Sequence, residues 1–283
     1  MTQQEISRPD GSRAANTRRK ARRVLDDRAG WGNRMTLILA TVVLLVMAVG
    51  VYLTSVALYM AGYLYFGDAL WLDLATYALM GVLGILLVLP LGVGLWRLAC
   101  LMTLHAQAIP LSQDLPVTKD RPTLDQLFYP LASVRSYGRA LAVGLESLGW
   151  FLLYAGVPAV GFGVLRQIFY TMSVRGVHMT LCNLLTLASL VLCAAVGLVL
   201  FFLSGRRAGF GYFVFIHDDL ALKEINRYFR GFRRSFARPF VLRVSLVGWM
   251  ALSVVGVLIP FVVHTIPYAL CCSAVYAAEL ERK

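Results

Sequence analysis

The chain has 283 residues, of which 59% are apolar and 15% are charged, and its net charge is +12. Soluble domains average about 45–50% apolar and 25% charged residues, so this composition excludes an ordinary soluble protein. Five apolar stretches are long enough to cross a bilayer. We therefore predict an all-α fold: an integral membrane helical bundle with about five to six transmembrane helices and basic interfacial amphipathic helices.

Residues 1–34 are predicted to form a basic cytoplasmic segment that is partly disordered. The segment holds nine of the 27 basic residues, and its first 16 residues are polar, a composition that disfavours a packed core. Residues 17–28 place apolar side chains at helical spacing among arginines, which predicts a helix lying on the membrane surface. A signal peptide is not expected, because the apolar run that follows has 32 residues, whereas a signal core has about 7–15.

The transmembrane domain is predicted over residues 35–280. Its apolar stretches are Met35–Phe66, Leu74–Leu95, Ala140–Leu165, Thr180–Leu203 and Val244–Ala277. The fifth stretch contains Pro260 and Pro267, and each proline weakens a helix where it occurs. The stretch is either one kinked crossing or a broken hairpin. We favour one crossing, because each half has only about 15 residues and a span needs about 20.

The distribution of lysine and arginine predicts the orientation of the chain. Nine basic residues precede the first span, and the successive connections hold none, five, two and nine. Basic residues concentrate in cytoplasmic loops, so the N-terminus and both long connections are predicted to be cytoplasmic. This placement also accounts for the charge of +12 without nucleic-acid binding, which would need basic residues among base-stacking aromatics in a soluble module.

The last long connection contains a strongly amphipathic segment, residues 219–236. Its apolar side chains recur at intervals of three and four residues, as on one face of an α-helix: Leu222, Ile225, Phe229, Phe232 and Phe236. Basic side chains occupy the other faces and are candidate lipid- or partner-binding residues: Lys223, Arg227, Arg230, Arg233 and Arg234. We expect the helix to lie in the membrane interface with its aromatic rings in lipid and a cap at Asp218–Asp219. A juxtamembrane helix without a ligand is the alternative.

Two cytoplasmic segments resemble each other at an offset of 99 residues. Arg135–Arg139 matches Arg234–Arg238, and Gly149–Trp150 matches Gly248–Trp249. Both copies precede a span that leaves the cytoplasm, so the predicted topology permits a parallel repeat of the kind found in membrane transport proteins.

The repeat suggests a charged pair inside the membrane. Glu146 is the one acidic residue well inside a predicted span, and Arg243 lies at a similar depth in the second copy. Intramembrane carboxylates are expensive and are functional candidates by default. We predict a Glu146–Arg243 ion pair. The alternative is a structural Glu146 that faces a watery vestibule.

The C-terminal half resembles a bacterial membrane family, the domain of unknown function nine-seven-five. The residues that carry the resemblance are an acidic turn at Asp218–Asp219, a basic helix ending near Arg230–Gly231, the run Val244–Trp249, Pro267–Tyr268, and Tyr276–Leu280. An opening helix with Ala21, Leu25 and Trp31 and a middle span from Gly149 to Pro158 resemble further parts of that family. The resemblance departs at Ala159, where the family has glycine, and at the additional span near residues 180–203. It implies about six helical segments and a bacterial cell membrane, and it implies no particular activity, because none is established for that family.

No motif of an enzyme is found in the sequence. A P-loop, G-x-S-x-G and H-E-x-x-H are absent, the four histidines are scattered, and the five cysteines show no C-x-x-C. No catalytic residue, metal or cofactor is therefore predicted. We expect a non-catalytic scaffold or accessory protein that acts through its basic cytoplasmic face on anionic lipids, a partner membrane protein or a second copy of itself. The alternative is a small-molecule or ion transporter with Glu146 near its path, since proline and glycine in the spans allow unwound backbone.

Overall fold

The computed structural model describes residues 10–26, 30–66, 70–107, 122–176, 178–217, 219–231, 239–245 and 261–281. Nearly all of these residues lie in helices, the rest lie in short turns or bends, and none of them lies in a β-strand, so the predicted all-α class is confirmed. The α-helices are α1 (Asp10–Asp26), α2 (Gly30–Phe66), α3 (Leu70–Leu83), α4 (Leu89–Gln107), α5 (Val134–Phe151), α6 (Val157–Val174), α7 (Met179–Ser204), α8 (Phe210–Ile216), α9 (Leu222–Gly231), α10 (residues 239–245) and α11 (Ile266–Glu281).

Within the described residues, four helical stretches are long and apolar enough to cross a membrane. They are Gly32–Tyr65, Leu70–Ala106, Val134–Val174 and Met179–Ser204, and they coincide with the first four predicted spans. The second and third have 37 and 41 residues. At about 1.5 Å per residue these two stretches are about 55 and 60 Å long, and a hydrocarbon core is about 30 Å thick. Both therefore project beyond a membrane.

The projecting parts meet at one end of the bundle, which we call the basic end. It comprises the start of α2, most of α4, the start of α5 and the end of α7, together with α1, α8, α9 and α11. Buried side chains concentrate here: α4 is buried over most of its length, whereas Leu72 is the buried residue of α3. Elsewhere the long helices leave large apolar side chains uncovered, as surfaces that face lipid do.

The second half of the fifth apolar stretch is a helix of the protein core. α11 packs against α1, α4 and α8, and residues on several of its faces are buried, including Tyr268, Cys271, Val275 and Ala278. A helix that is apolar all round is found either in a membrane or inside a protein, and its sequence does not distinguish the two. The predicted crossing by residues 244–277 is not confirmed, because α11 is enclosed by protein and residues 246–260 lie outside the described residues.

Three prolines follow π-helical turns at the same spacing. The turns are Gly84–Val88, Leu152–Gly156 and Phe261–Thr265, and Pro90, Pro158 and Pro267 come two residues after them. Proline lacks a backbone N–H and crowds the carbonyl four residues earlier, and a wider turn at that point accommodates its ring. The helix consequently continues through Pro90 and Pro158, the positions where the transporter alternative allows unwound backbone.

The apolar face of α1 is covered by α11 rather than by lipid. Its buried side chains are Thr17, Ala21, Val24 and Leu25. Lys20 Nζ lies 2.8 Å from Glu279 Oε1, and Thr17 donates a hydrogen bond of 3.1 Å to Glu279 Oε2. α1 begins at Asp10, so residues 10–16 are helical where disorder was predicted. The packing of Thr17, Ala21, Val24 and Leu25 in the protein core stabilises the later turns of this helix.

The apolar face of α9 is also covered by protein. Ile225 and Phe229 are fully buried, and the Phe229 ring packs edge-on against Phe210 of α8, with 5.4 Å between centroids, and beside Phe213 at 5.2 Å. These two side chains of the predicted stripe therefore contact α8 instead of lipid. The predicted cap is wrong as well, because the helix starts at Leu222 and the Glu224 carboxylate accepts a hydrogen bond from the Ala221 N–H. Asp218 and residues 232–238 lie outside the described residues.

Candidate functional site

A cavity of about 440 Å³ lies at the basic end, between α5, α10, α11 and the end of α7. Aromatic side chains form much of its wall: Trp96, Trp150, Tyr154, Phe210 and Tyr276. Three charged side chains line it as well: Glu146, Arg207 and Arg243. Ligand sites are typically cavities of about 300–1,000 Å³ with mostly apolar walls and a few polar groups, so this cavity is the candidate site.

The structure brings Glu146 and Arg243 into the same cavity but does not pair them. Glu146 Oε1 lies 2.9 Å from Nε of Arg207, and both side chains are about a quarter exposed. Arg243 instead donates a hydrogen bond to the hydroxyl of Ser204. The predicted Glu146–Arg243 ion pair is therefore wrong. Arg207 is closer because the chain turns at residues 205–207, directly after α7, and places this arginine over α5.

Arg207 links the cavity to α9. Its Nη1 donates a hydrogen bond of 2.7 Å to the side-chain oxygen of Asn226, and its guanidinium lies 4.9 Å from the centroid of the Phe210 ring. A single residue thus contacts α5, α8 and α9. Arg207 was not anticipated from the sequence. It is one of nine basic residues in a long connection, and it lies on neither the amphipathic segment nor the repeat that marked other residues there.

Among the described residues, Arg243 has no carboxylate partner. Its guanidinium contacts the Ser204 hydroxyl and the face of Phe201, whose centroid lies 5.2 Å from the guanidinium carbon. The Ser204 hydroxyl in turn donates to the carbonyl of Phe201 at 2.7 Å. A guanidinium carries five N–H donors, and one of them makes a hydrogen bond within the described part of the chain. Together with the Glu146–Arg207 pair, this leaves the described part of the cavity lining with one excess positive charge.

Two glycines allow the close packing around the cavity. Gly209 has φ of +93°, in the left-handed region that favours glycine, and it begins α8 directly against Ala277 of α11. Gly211 packs against the Trp96 ring and Val143, and a methyl group there would lie 3.0 Å from Trp96 Nε1. These two positions bring α8 close enough to α4, α5 and α11 to form one wall of the cavity.

The first copy of the predicted repeat has a structural role. Arg135 Nη2 donates a hydrogen bond of 3.0 Å to the carbonyl of Asp219, and Arg139 donates to the carbonyl of Leu220. Both arginines of Arg135–Arg139 therefore hold the connection between α8 and α9. The matching residues 234–238 and 248–249 lie outside the described residues, so the repeat stays a prediction.

The basic candidates on α9 lie apart from the cavity. Lys223, Arg227 and Arg230 are exposed on the face of α9 that is opposite its buried residues. Arg233 and Arg234 lie outside the described residues. Within the part of the chain that the structure describes, no group of three His, Cys, Asp or Glu side chains could hold a metal ion.

Exchange of the Glu146 and Arg207 charges tests the observed pair. Glu146→Arg should lower the free energy of unfolding by about 2 kcal/mol, because it places a third positive charge in the cavity and breaks a half-buried ion pair. Adding Arg207→Glu should restore most of the loss, since the pair re-forms with reversed signs. Thermal unfolding in detergent measures both effects. Adding Arg243→Glu instead should restore less, and equal recovery by the two double variants would contradict the assignment.

Comparison with known proteins gives no relative. No protein-family model, no curated protein and no solved structure matches the chain. The resemblance to the domain of unknown function nine-seven-five therefore stays a prediction that rests on the residues quoted for it. What the protein does has to be inferred from its own geometry.

Proposed function

We propose that the chain is a non-catalytic accessory protein of a bacterial cell membrane, with its N-terminus and its basic end in the cytoplasm. Its basic surface, formed by Lys223, Arg227 and Arg230 on α9, binds anionic lipid headgroups. The four apolar helical stretches support the membrane location. The arginines at one end of the bundle support the orientation through the concentration of basic residues on the cytoplasmic side.

The observation that carries the proposal is the rigid presentation of this basic surface. Because Ile225 and Phe229 are buried against α8, the helix cannot rotate, and its three basic side chains point away from the protein. A single carboxylate, Glu224, shares the exposed face, and it accepts a hydrogen bond at the start of the helix. Each lysine or arginine near an anionic surface contributes about 1 kcal/mol of attraction. This arrangement supports binding by electrostatic contact, in which Ile225 and Phe229 stay buried in the protein and do not insert into lipid.

Removal of the three charges should abolish the lipid preference. The full-length protein, reconstituted with phosphatidylcholine and phosphatidylglycerol and then purified, should retain phosphatidylglycerol preferentially. In the triple variant Lys223→Gln, Arg227→Gln and Arg230→Gln that preference should fall about tenfold or more, because three attractions of about 1 kcal/mol each are lost. Quantification of the retained lipids measures the effect. Adding Arg233→Gln and Arg234→Gln should lower the preference for phosphatidylglycerol further.

The matched control removes charge at the other end of the bundle. Arg166 and Arg175, on α6 and at its end, are exposed, and the variant Arg166→Gln with Arg175→Gln should keep the lipid preference of the original protein. High salt should weaken the preference of the original protein, since exposed charges are screened beyond about 8 Å at physiological ionic strength. A triple variant that keeps its lipids but loses a crosslinked partner protein would contradict lipid binding and assign the surface to protein docking.

Transport of a small solute is the second candidate function. The cavity favours transport. Glu146 belongs to a span-length helical stretch, and Arg207 and Arg243 line the same cavity. Charged groups at such positions often mark solute paths. Uptake of a solute into proteoliposomes that is lost in Glu146→Gln would support transport over the accessory role.

A further inference from the structure

From the cavity at the basic end, we infer a second binding site, separate from the surface of α9. The site takes one acidic amphiphile with a hydroxyl-bearing headgroup, of the phosphatidylglycerol type. Its phosphodiester binds Arg243, its headgroup hydroxyl binds Glu146, and its apolar part lies along Trp150 and Tyr154. The inference does not depend on the proposed function, because none of the basic side chains of α9 lines the cavity.

The charge of the cavity selects an anion. Among the described residues of the lining, Arg207 and Arg243 face a single carboxylate, Glu146, which is already in contact with Arg207. Arg243 is partly buried and makes its one hydrogen bond to protein with a neutral hydroxyl. A partly buried charge without an opposite charge is destabilising, and an anion that accepts from its remaining N–H groups offsets that penalty. Guanidinium groups suit phosphate oxygens in particular, because their N–H donors can bind two oxygens at once.

Glu146 supplies a second polar contact. Its Oε1 lies 2.9 Å from Nε of Arg207, and the side chain lines the cavity and is about a quarter exposed. A carboxylate has about four lone-pair sites on its two oxygens, so the contact with Arg207 leaves acceptor sites for a ligand. A headgroup hydroxyl can donate to the accessible part of this carboxylate while the neighbouring phosphodiester accepts from Arg243. The choline headgroup of phosphatidylcholine, whose oxygen is esterified to the phosphate, has no hydroxyl or N–H donor and cannot do so.

The aromatic wall favours an amphiphile over a free phosphorylated solute. Glu146, Trp150 and Tyr154 follow one another at intervals of four residues along α5 and the π-helical turn after it, and all three line the cavity. Four residues of helix advance about 6 Å, so along this one wall the lining runs from the Glu146 carboxylate to the rings of Trp150 and Tyr154 over about 12 Å, toward the apolar part of the stretch. A lipid changes from headgroup to acyl chain in the same direction.

Binding of short-chain lipids to the purified full-length protein tests the site. The probes are dihexanoyl phosphatidylglycerol, dihexanoyl phosphatidylcholine and glycerol 3-phosphate, and native mass spectrometry with thermal shift gives stoichiometry and affinity. We expect one saturable phosphatidylglycerol per chain. Arg243→Gln should weaken it about tenfold or more, because a charge-assisted hydrogen bond to the phosphate is lost. Arg243→Lys, which keeps the charge, should weaken it less.

Other variants separate loss of the ligand from loss of the fold. Ser273→Trp fills the cavity from an exposed rim position and should abolish binding while the thermal unfolding of the ligand-free protein stays unchanged. The triple variant of α9 should bind the single lipid as the original protein does. If the triple variant no longer binds the single lipid, the site is not separate and the inference fails. If it loses only the general preference for phosphatidylglycerol, that result bears on the proposed function alone.

Three outcomes of the probe comparison would overturn the inference. Equal binding of phosphatidylcholine would show that neither the charge nor the hydroxyl of the headgroup matters. Equal binding of glycerol 3-phosphate would assign the cavity to a water-soluble phosphorylated compound. Binding that survives both Arg243→Gln and Ser273→Trp would place the lipid elsewhere on the protein.

Discussion

Phe229→Ala should lower the free energy of unfolding by about 3–5 kcal/mol, the range for removal of a fully buried phenylalanine from a core. The Phe229 ring is inaccessible to solvent and packs against Phe210 and Phe213. The smaller side chain leaves a void that the neighbouring helices fill only in part. Denaturant unfolding of the protein in mixed micelles measures the loss.

The neighbouring aromatic residue provides the control. Tyr228 is 46% exposed, and its ring lies 6.1 Å from the ring of Phe213 and 5.3 Å from that of His217. Tyr228→Ala should therefore lower the free energy of unfolding by no more than about 1.5 kcal/mol. If Phe229 were inserted in lipid, Phe229→Ala would reduce membrane contact and leave unfolding nearly unchanged. Equal effects of the two substitutions would contradict the packing of α9 on α8.

Gly94→Ala should destabilise the protein by about 3 kcal/mol, at the upper end of the range for overpacking. A methyl group on Gly94 would overlap the backbone carbonyl oxygen of Leu127, and a backbone atom cannot move aside as a flexible side chain can. The segment around Leu127 is held in place by Arg97, which donates a hydrogen bond of 2.8 Å to Gln126 and stacks on the ring of Tyr129.

A second glycine of α4 makes the comparison specific. Gly92 has no atom within 4 Å of the position where a Cβ would lie. Gly92→Ala should leave the free energy of unfolding unchanged or raise it by about 0.5–1 kcal/mol, because alanine is the better helix former. Thermal unfolding of the two purified variants measures the difference. A Gly94→Ala variant as stable as Gly92→Ala would show that the Leu127 segment is not packed on α4.

The cavity could be anticipated only in part from the sequence. Glu146 was a candidate because a carboxylate within an apolar stretch carries a large free-energy cost. Arg243 was a candidate because the repeat placed it at a similar depth in the membrane. Both do line the cavity. The sequence did not give the partner of either residue. The turn after α7 places Arg207 beside Glu146, and Arg207 is one of nine basic residues in that connection. Side-chain pairing depends on distances of a few ångströms, and the repeat gave only depth along the membrane normal.

The sequence by itself determined the helical membrane class, four of the apolar spans and the separation of basic from apolar surface. These features follow from composition and run length, because lipid requires every backbone polar group to be satisfied within its own helix. Only the tertiary structure decided what the remaining apolar faces contact. The faces of α1, α9 and α11 carry the same pattern whether lipid or protein covers them, since both remove apolar groups from water equally well. Ala21 is buried because α11 lies beside α1, Phe229 because α8 lies beside α9, and Val275 because α1 and α4 lie beside α11.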